Sequence, residues 1–586
     1  MRVIATAGHV DHGKSALLRG LTGQEPDRLG EEKARGLTID LGFVWSDELG
    51  LAFVDVPGHE RFLGTMLAGV GAVPAVLFVV AADEGWRAQS AEHLAVLEAL
   101  GVGHGLLAVT RTDLADPGPA LAQARERMAG GPLADVPSVA VSALTGAGMP
   151  ELRAALTALA ASLPEPDPDG DVRLWVDRAF TLKGRGTVVT GTLGAGTLAV
   201  GDVLRVAGTG EEVRVRGLHT LGRPVERISG SARVGVNVHG EGVAGLRRGA
   251  ALLTPDRWLD TAVIDVEVPG EEPPPAHVTL HVGAAGVPAQ VRPLGGGYFR
   301  LTARTPLPLR LADRVVLRDP GAHRVWAARP VDVAPKPLER RRGAARRRAE
   351  LLAATAPLPP ADALLTGHLL LRGADLARMG AAPTRPPVAG DWHADPAHWA
   401  ALGPRLEDAV RDWEAAHPHA PGMAVETARQ RLALPDRALV EALLADTSLR
   451  LADGKISTGG PVPEAVAAAV AALRAELADT PFHAPEADRL RALGLDAPAL
   501  AVARRAGLVL VLDRTVVLLP DAVERAVAAL SALGRAFTVA EARDALATTR
   551  RTALPLLAHL DALGRTRRID PALRVIETEP QDSFSR

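Results

Sequence analysis

The sequence predicts a multidomain fold of mixed α/β, β and α class: a doubly wound α/β domain, two β-barrels and then tandem winged-helix domains. Short apolar runs alternate with helical patterns up to about residue 165, whereas apolar and polar residues alternate with a period of two from 171 to 335. Alanine- and leucine-rich helices broken by short strand pairs follow from residue 349. We expect domains at 1–165, 171–255, 256–335, 349–395, 396–460, 463–520 and 521–578, with a basic linker at 336–348.

The composition narrows the class of protein and its compartment. Cysteine is absent and 47% of the 586 residues are hydrophobic, so disulfides and cysteine-bound zinc are excluded while several cores can form. The most apolar run, residues 73–82, is too short to cross a membrane, and no basic segment precedes an apolar stretch at the N-terminus. We therefore expect a cytoplasmic monomer with no membrane partner. A net charge of −3 predicts no partner by itself, so any nucleic-acid surface must be local.

The first domain opens with a strand, a glycine loop and a helix. An apolar run at 3–6 is followed by G-H-V-D-H-G-K-S, and A-L-L continues as a helix. Backbone N–H groups of such a loop wrap a β-phosphate, the lysine reaches the β- and γ-phosphates, and the next hydroxyl coordinates Mg²⁺. Lys14 and Ser15 occupy those two positions. The residues predicted to bind nucleotide here are Gly8, His9, Val10, Asp11, His12, Gly13, Lys14, Ser15 and Ala16.

Two further segments of this domain are predicted to sense the γ-phosphate. In D-V-P-G-H, Asp55 can hold Mg²⁺ through water and the Gly58 N–H can bond the γ-phosphate. In R-G-L-T-I, residues 35–39, the Thr38 hydroxyl completes the Mg²⁺ shell only when a γ-phosphate is present. The predicted metal ligands are Ser15, Thr38 and Asp55.

Together these three motifs resemble the elongation factor Tu group of translational GTPases. The resemblance implies GTP and GDP as ligands, Mg²⁺ as cofactor and the ribosome as the partner that stimulates hydrolysis. It also implies that His59 orients the attacking water, behind an apolar gate of Val10 and Ile39. The residues assigned to hydrolysis are His59, Lys14, Thr38 and Gly58. Because no arginine finger in cis is evident, we expect slow intrinsic hydrolysis.

Guanine recognition departs from this group in one of its two loops. The usual Asn-Lys-x-Asp is T-R-T-D here, whereas S-A-L matches the second loop. Asp113 can still accept from guanine N1–H and N2–H₂, which adenine cannot offer. Thr110 cannot reproduce both the donor and the acceptor of asparagine, and Arg111 would lie its planar guanidinium over the base. A threonine at this position occurs in the selenocysteine-specific branch of the group. The residues expected at the base are Thr110, Arg111, Asp113, Ser142, Ala143 and Leu144.

The two predicted barrels resemble the second and third domains of elongation factor Tu, which hold aminoacyl-tRNA. The stretch D-R-A-F-T-L-K-G-R-G-T-V-V-T-G-T closely resembles the second domain of the selenocysteine-specific branch, where an aspartate and arginines line the aminoacyl pocket. Asp177 and Arg178 match that motif, and we assign Arg233 as the third member. A selenol is largely anionic at neutral pH, so paired arginines would favour it over the neutral hydroxyl of serine. The other interpretation is that each is a solvated charged side chain on a strand, held in an ion pair with a neighbouring residue.

A basic segment follows the barrels. Between residues 336 and 348, seven lysine and arginine side chains stand against the single acidic residue Glu339. The segment is either a solvated flexible arm or a contact for the phosphates of ribosomal RNA.

The C-terminal part of the chain repeats at roughly 60 residues. Strand-turn-strand patterns occur at 449–456, 508–519 and 564–576, and each follows predicted helices. This order is typical of a winged helix. We expect four such units, of which the first three are spacers because their helices have acidic or neutral surroundings.

The last repeat carries arginines at two places. Arg550 and Arg551 open a helix, and Arg567 and Arg568 begin the wing. A helix N-terminus with neighbouring arginines favours the binding of nucleic-acid phosphates. The pattern resembles the C-terminal domain of the selenocysteine-specific branch, which binds the selenocysteine insertion hairpin of the mRNA. These four arginines are therefore predicted to contact an RNA hairpin.

The resemblance implies a GTP-dependent elongation factor that delivers selenocysteinyl-tRNA to the ribosome at recoded UGA codons while its last domain binds the mRNA hairpin. One alternative is a general aminoacyl-tRNA or initiation GTPase with an unrelated tail. Another is a GTPase that regulates a metabolic enzyme, as in sulfate activation, with the tail as a protein-interaction module. Retention of labelled hairpins and of charged selenocysteine tRNA would separate the three.

Overall fold

The structure is a computed structural model that describes residues 2–26, 40–57, 63–71, 73–183, 186–319, 321, 324–417, 422–458, 462–513, 515–570 and 573–576. The chain divides into two compact units. The first contains Met1–Pro387 and Asp391–Asp395, and the second contains Val388–Gly390 and Pro396–Arg586. Within the described ranges, no helix combines the length and the apolar content that crossing a membrane requires.

The N-terminal domain of the first unit is a six-stranded sheet covered by helices on both faces. Its strands are β1 (Arg2–Ala7), β2 (Gly42–Ser46), β3 (Leu51–Asp55), β4 (Ala75–Ala81), β5 (Gly105–Thr110) and β6 (Ser138–Ala140). Its helices are α1 (Lys14–Thr22), α2 (Leu63–Val70), α3 (Ala88–Ala99), α4 (Pro117–Met128) and α5 (Met149–Ser162).

The strand order of this sheet is β2-β3-β1-β4-β5-β6, with β2 antiparallel to β3 and the other pairings parallel. Every residue of β3, β4 and β5 is buried, which explains why these strands are continuous apolar runs. Helices α1 and α5 pack on one face, and α2, α3 and α4 pack on the other. The carboxyl ends of β1, β3, β4 and β5 therefore meet at one edge, where ligands bind in such sheets.

The first barrel follows. Its strands are β7 (Arg173–Leu182), β8 (Gly186–Leu193), β9 (Thr197–Ala199), β10 (Val203–Val206), β11 (Glu212–Thr220), β12 (Arg223–Val225), β13 (Arg227–Ser229), β14 (Ala232–His239) and β15 (Ala251–Leu253). The main sheet has the order β10-β15-β7-β8-β14-β11-β12, and a pairing of β10 with β11 closes the ring. A 3₁₀ helix at Glu241–Gly245 follows β14. Burial alternates residue by residue along β14, as a period of two requires.

The second barrel is closed in the order β16-β19-β18-β17-β20-β21. These strands are β16 (Asp260–Glu267), β17 (His277–Val282), β18 (Ala285–Gly295), β19 (Tyr298–Pro308), β20 (Val315–Arg318) and β21 (Val325–Asp332).

A small helical unit packs on the second barrel. Its elements are α6 (Ala344–Thr355), α7 (Pro360–His368), β22 (Leu370–Arg372), α8 (Gly373–Arg378) and β23 (Trp392–Ala394). Leu364 of α7 and Leu376 of α8 belong to the same apolar cluster as the interior of the barrel. Three helices and the two-stranded sheet of β22 and β23 thus cover the region predicted as a winged helix at 349–395, and the first of these helices begins earlier, at Ala344.

The prediction of a linker over 336–348 differs from the structure in its last five residues, which begin α6. The cause is a buried ion-pair network. Arg348 donates to Asp265 at 2.8 Å and to Asp332 at 2.6 Å, and both carboxylates are buried. A buried carboxylate pair requires such a partner, so Arg348 does not belong to a solvated arm.

The second compact unit contains three repeats. The first consists of α9 (Pro396–Ala416), β24 (Met423–Ala424), α10 (Val425–Arg431), α11 (Arg437–Leu444), β25 (Arg450–Ala452) and β26 (Lys455–Ser457). The second consists of α12 (Glu464–Glu476), α13 (Ala487–Ala492), α14 (Ala497–Arg505), β27 (Leu510–Leu512) and β28 (Val516–Leu518). The third consists of α15 (Ala522–Ser531), β29 (Phe537–Thr538), α16 (Val539–Ala545), α17 (Arg550–Ala562), β30 (Thr566–Arg568) and β31 (Leu573–Ile576).

The last two repeats both contribute to one buried apolar cluster, and the earlier repeat has a second cluster of its own. Phe482 and Leu518 of the earlier repeat lie in the same buried cluster as Phe537, Leu556 and Leu560 of the later one. Separating the two repeats would therefore expose apolar surface on both.

Candidate functional site

The glycine loop between β1 and α1 has backbone angles that explain its glycines. Gly8 has φ +127°, and a Cβ at this position would stand 2.2 Å from the carbonyl oxygen of Val79. Gly13 has φ 83° and directly precedes α1. Asp11 also lies in the left-handed region, with φ 63°, which short polar side chains tolerate. The loop thus leads straight into the N-terminus of a helix, a favourable place for an anion.

Lys14 is buried beneath this loop. Its Nζ donates to the carbonyl of Gly8 at 3.1 Å and to that of His9 at 2.7 Å. These bonds hold the ammonium against the loop that the sequence assigns to the phosphates. A phosphate bound there would compete with the two carbonyls for the ammonium.

Asp55, at the carboxyl end of β3, is fully buried and accepts two hydroxyl donors. Ser15 Oγ donates to Oδ2 and Thr6 Oγ1 donates to Oδ1, both at 2.7 Å. The Val56 N–H donates in turn to Thr6 Oγ1 at 3.1 Å. The structure therefore brings the predicted metal ligands Ser15 and Asp55 together. Sequence reasoning missed Thr6, although a hydroxyl inside an apolar strand was a signal for it.

These oxygen atoms fit a hard cation. Mg²⁺ prefers carboxylate, hydroxyl and water oxygens, and a buried carboxylate such as Asp55 is favourable where a cation neutralises it. Among the described residues, no group of three or more histidine, aspartate or glutamate side chains is arranged to hold a metal ion. A Mg²⁺ at Ser15 and Asp55 would thus rely on water and phosphate oxygens for its other ligands.

The two base-binding loops lie at the carboxyl ends of β5 and β6. Ser142 Oγ donates to Asp113 Oδ1 at 2.5 Å, so the two predicted loops meet. Thr110 is buried and donates to the carbonyl of His12 at 2.6 Å, which ties this loop to the glycine loop. Ala143 and Leu144 are exposed, as residues at the mouth of a site would be.

Arg111 takes a different orientation from the expected one. Its guanidinium pairs with Asp83 at 3.1 Å and with Glu84 at 2.9 Å, and it also donates to the carbonyl of Asp11. In this conformation the guanidinium is held by two carboxylates and does not serve as a platform for the base.

Three of the residues assigned to hydrolysis lie outside the described residues. These are Thr38, Gly58 and His59, together with the gate residue Ile39. Their roles stay predictions from the sequence.

Two buried histidines are neutral at physiological pH: His12 belongs to the glycine loop, and His93 lies against it. Burial lowers the pKa of His12 to about 4 and, with the charges of Lys14 and His9, the pKa of His93 to about 3. His93 Nδ1 accepts the N–H of Gly8 at 3.1 Å, so the neutral ring carries its proton on Nε2. This histidine belongs to α3 and was not singled out from the sequence.

We expect the stability of this domain to fall as the pH drops below the unfolded histidine pKa of 6.5. The unfolded chain takes up protons there, whereas folded His93 stays neutral down to about pH 3, so stability is complete above pH 6.5 and lost towards lower pH. Between pH 7 and 5, His93 alone accounts for about 2 kcal/mol of this loss. The measurement is calorimetry of the full chain, following the transition that GDP shifts upward. In the matched variant His93→Asn the transition should depend less on pH, and an unchanged dependence would contradict the assignment.

The three residues predicted to line an aminoacyl pocket lie on strands β7 and β14 of the first barrel, on either side of β8. Arg233 on β14 pairs through both terminal nitrogens with Asp177 on β7, and it donates to Thr190 Oγ1 at 3.1 Å. Thr190 in turn donates to Asp177 at 2.8 Å. The Arg233 guanidinium also lies over the ring of Phe43 from β2, 3.6 Å from its centroid. The ring and the carboxylate together fix its orientation.

Arg178 is engaged differently. Its guanidinium donates to Asp40 at 2.7 Å and to the carbonyl of Leu41 at 3.2 Å. Asp40 also lies 3.6 Å from Arg248. A cleft of about 430 Å³ adjoins these residues and is lined by Phe43, Trp45 and Phe180 with both arginines. In this conformation the N-terminal domain thus supplies the anion that Arg178 binds.

The four arginines of the last repeat fall into separate environments. Arg550 is exposed at the start of α17. Arg551 reaches back to the preceding repeat, where it donates to the carbonyls of Pro485 and Thr515, each at 3.3 Å, and of Ala484. Arg550 and Arg551 are both exposed, but only Arg551 is bonded to the preceding repeat, and the hairpin contact predicted for both stays a prediction.

The other two arginines lie on the wing strand β30, whose residues Arg567 and Arg568 are exposed. Arg568 Nε lies 3.2 Å from Asp561 of α17. The buried Arg574 of β31 pairs with the same carboxylate at 3.1 Å. Asp561 thus fixes the wing against the helix.

The glycine loop, the buried lysine and the Ser15–Asp55 pair at one sheet edge define a nucleotide-binding domain of the kind found in translational GTPases. Residues 1–162 match the profile of the Elongation factor Tu GTP binding domain, and residues 528–573 match that of Elongation factor SelB, winged helix. The chain is 34% identical to Elongation factor Tu 2 of Streptomyces avermitilis over 281 residues, which are 43% of this chain and 72% of that protein. The chain belongs to the elongation factor Tu family.

Relatives in the selenocysteine-specific branch are also found, so the predicted resemblance to that branch is confirmed. The chain is 42% identical to the Selenocysteine-specific elongation factor of Desulfomicrobium baculatum over 273 residues, which are 45% of this chain and 43% of that protein. The matched part spans about half the length of the curated relatives in this branch. A crystal structure of the bacterial selenocysteine-specific elongation factor EF-Sec aligns over 99% of this chain and 100% of that one, with a TM-score of 0.74 and 24% identity. This alignment confirms the predicted fold class.

Proposed function

We propose that the chain is a GTP-hydrolysing elongation factor that delivers selenocysteinyl-tRNA to the ribosome at recoded UGA codons. One observation carries the proposal: a GTP-binding domain of the elongation factor Tu type and a winged helix of the selenocysteine-specific type occur on the same chain. A general aminoacyl-tRNA or initiation GTPase, or a GTPase regulating a metabolic enzyme, would leave the second match unexplained.

In this proposal GTP and GDP bind in the glycine loop. Lys14 leaves the carbonyls of Gly8 and His9 for the β- and γ-phosphates, and Asp113 selects guanine. Ser15, Thr38 and Asp55 would hold Mg²⁺, which neutralises phosphate charge when bound. His59 would orient the attacking water on the ribosome.

The aminoacyl group would be read by the arginines of the first barrel. Arg233 is oriented in advance by Asp177 and Phe43, so little conformational freedom is lost when an anion approaches it. Arg178 would exchange Asp40 for the selenolate. A selenolate gains from both positive charges, whereas the neutral hydroxyl of serine gains little.

The mRNA hairpin would bind the last repeat through Arg550 and the wing arginines. Because the last two repeats share a buried apolar cluster and Arg551 joins them, we expect the pair of repeats to bind as one body.

Replacing Arg550 by glutamine in the full chain tests the hairpin assignment. An exposed arginine that contacts a phosphate should, when neutralised, weaken binding to all hairpins alike and lower the salt slope by roughly one unit. Arg551→Gln should instead lower the melting temperature of the C-terminal unit. The measurement is affinity for the organism's own selenoprotein hairpin, a scrambled-loop hairpin and a DNA duplex, each at two salt concentrations.

Arg525→Gln is the matched control, since Arg525 lies on the same repeat, is 51% exposed and pairs with Asp521. It should leave both the affinity and the salt slope unchanged. Equal affinity of the parent protein for all three nucleic acids would contradict a hairpin-specific site and leave only a generic basic surface.

A further inference from the structure

Two N–H groups of the glycine loop are bonded by side chains from a helix that the nucleotide motif does not include. The Gly8 N–H donates to His93 Nδ1 at 3.1 Å, and the Val10 N–H donates to Gln89 Oε1 at 3.2 Å. Gln89 and His93 are four residues apart on α3, so they lie on one face of that helix. We call these two side chains the α3 bracket.

The chemistry of His93 suits it to this contact. The ring is 2% exposed and its pKa is lowered to about 3 by burial and then by Lys14 and His9. It therefore stays neutral next to a lysine and a loop that would hold anions. A neutral ring has one acceptor nitrogen, whereas a protonated ring has none and could not bond the Gly8 N–H.

The position of the bracket distinguishes it from the lysine contacts. Lys14 bonds the carbonyls of Gly8 and His9, and it must leave them if it is to reach a phosphate, a step that rests on the function proposed above. The bonds from α3 point to N–H groups of Gly8 and Val10 and do not involve the lysine. They hold the start of the loop, where Gly8 has φ +127°, and departure of the ammonium would not by itself remove either bond.

We propose that Gln89 and His93 are positioning residues for the nucleotide: they keep the start of the loop in its binding shape while Lys14 changes partners. Without them the loop would sample other conformations, and bound nucleotide would be released faster. Neither residue needs to touch the nucleotide for this effect. The bracket thus extends the nucleotide site to the face of α3.

The test is the rate at which the full chain releases a fluorescent GDP analogue. His93→Leu leaves the buried Gly8 N–H without an acceptor and should therefore speed release by about fivefold or more. His93→Asn places a carbonyl oxygen near the position of Nδ1 and should restore release to within about threefold of the parent. Gln89 is less buried than His93. Gln89→Met should also speed GDP release, and it tests the proposal if His93→Leu does not fold. Glu98→Gln, on the same helix, is the control and should release GDP at the parent rate.

Each pattern of release rates either supports or overturns the proposed role of Gln89 and His93. The bracket is supported if His93→Leu and Gln89→Met release GDP faster and His93→Asn restores the parent rate. A merely structural role of His93 would not give this restoration of the release rate. Release at the parent rate in Gln89→Met and in folded His93→Leu overturns it, as does equally fast release in His93→Asn and His93→Leu. A parent protein that binds no GDP would instead overturn the nucleotide site itself. The assay contains no tRNA, hairpin or ribosome, so failure of selenocysteine delivery would not affect it.

Discussion

Exchange of Asp113 for asparagine is expected to turn the base preference from guanine towards xanthine. The Asp113 carboxylate is held by the Ser142 hydroxyl at 2.5 Å and is exposed at the mouth of the site, where guanine N1–H and N2–H₂ would donate to it. An amide presents a donor where the carboxylate had an acceptor, which suits the 2-oxo group of xanthine. Two hydrogen bonds to a charged group contribute roughly 1.5–3 kcal/mol each, so GTP affinity should fall by about two to four orders of magnitude.

Competition binding with GTP, XTP and ATP measures this change. The matched control is Asp116→Asn, because Asp116 is an aspartate of the same loop whose side chain caps α4 by accepting the Gly118 N–H. The control should keep GTP over XTP. If Asp113→Asn also keeps GTP over XTP, Asp113 does not read the base.

Removal of the charge of Arg233 is expected to erase most of the discrimination between selenocysteinyl- and seryl-tRNA. Two unit charges at ~4 Å interact by ~4 kcal/mol at an effective dielectric near 20, so a selenolate close to this guanidinium gains tens- to hundreds-fold in affinity. The side chain is 12% exposed, which limits screening by solvent. Arg233→Gln should therefore narrow the ratio of the two affinities, whereas GTP binding should be unchanged.

The Asp177 partner makes a second variant informative. Asp177→Asn keeps the charge of Arg233 and removes a carboxylate that would repel a selenolate, so it should preserve the preference for selenocysteinyl-tRNA that Arg233→Gln loses. Arg223→Gln is the control, since this arginine of the same barrel is 74% exposed and should not affect the ratio. Unchanged discrimination in a double Arg178→Gln, Arg233→Gln variant would contradict the pocket assignment.

The sequence predicts which side chains meet at the nucleotide-binding edge of the sheet, because the strand topology fixes most of their positions. Asp55 and Ser15 are 40 residues apart, yet the parallel strands β1 and β3 end at the same edge and bring the two side chains to hydrogen-bonding distance. Glycines are equally informative, since the positive φ angles of Gly8 and Gly13 leave few alternatives to a tight loop. In local motifs of this kind, the residue types themselves determine the backbone conformation.

Contacts between domains could not be predicted in the same way. Arg178 was expected to face a selenolate, but it binds Asp40, and nothing in the sequence around either residue indicates that the two elements touch. Arg348 and Arg551 were both counted in basic runs, yet each is fixed by groups more than 30 residues away. A charged run does not show which of its side chains are held by distant groups, because tertiary packing decides those contacts.

Delivery of selenocysteine by this protein requires that it discriminate by the amino acid and not by the tRNA body. The most direct measurement compares the affinity of the GTP-bound full chain for one selenocysteine tRNA charged either with selenocysteine or with serine. We predict at least about tenfold tighter binding of the selenocysteinyl form, which corresponds to ~1.4 kcal/mol, and loss of this preference at a pH low enough to protonate the selenol. Equal affinity for the two charged forms at neutral pH would contradict delivery of selenocysteine by this protein.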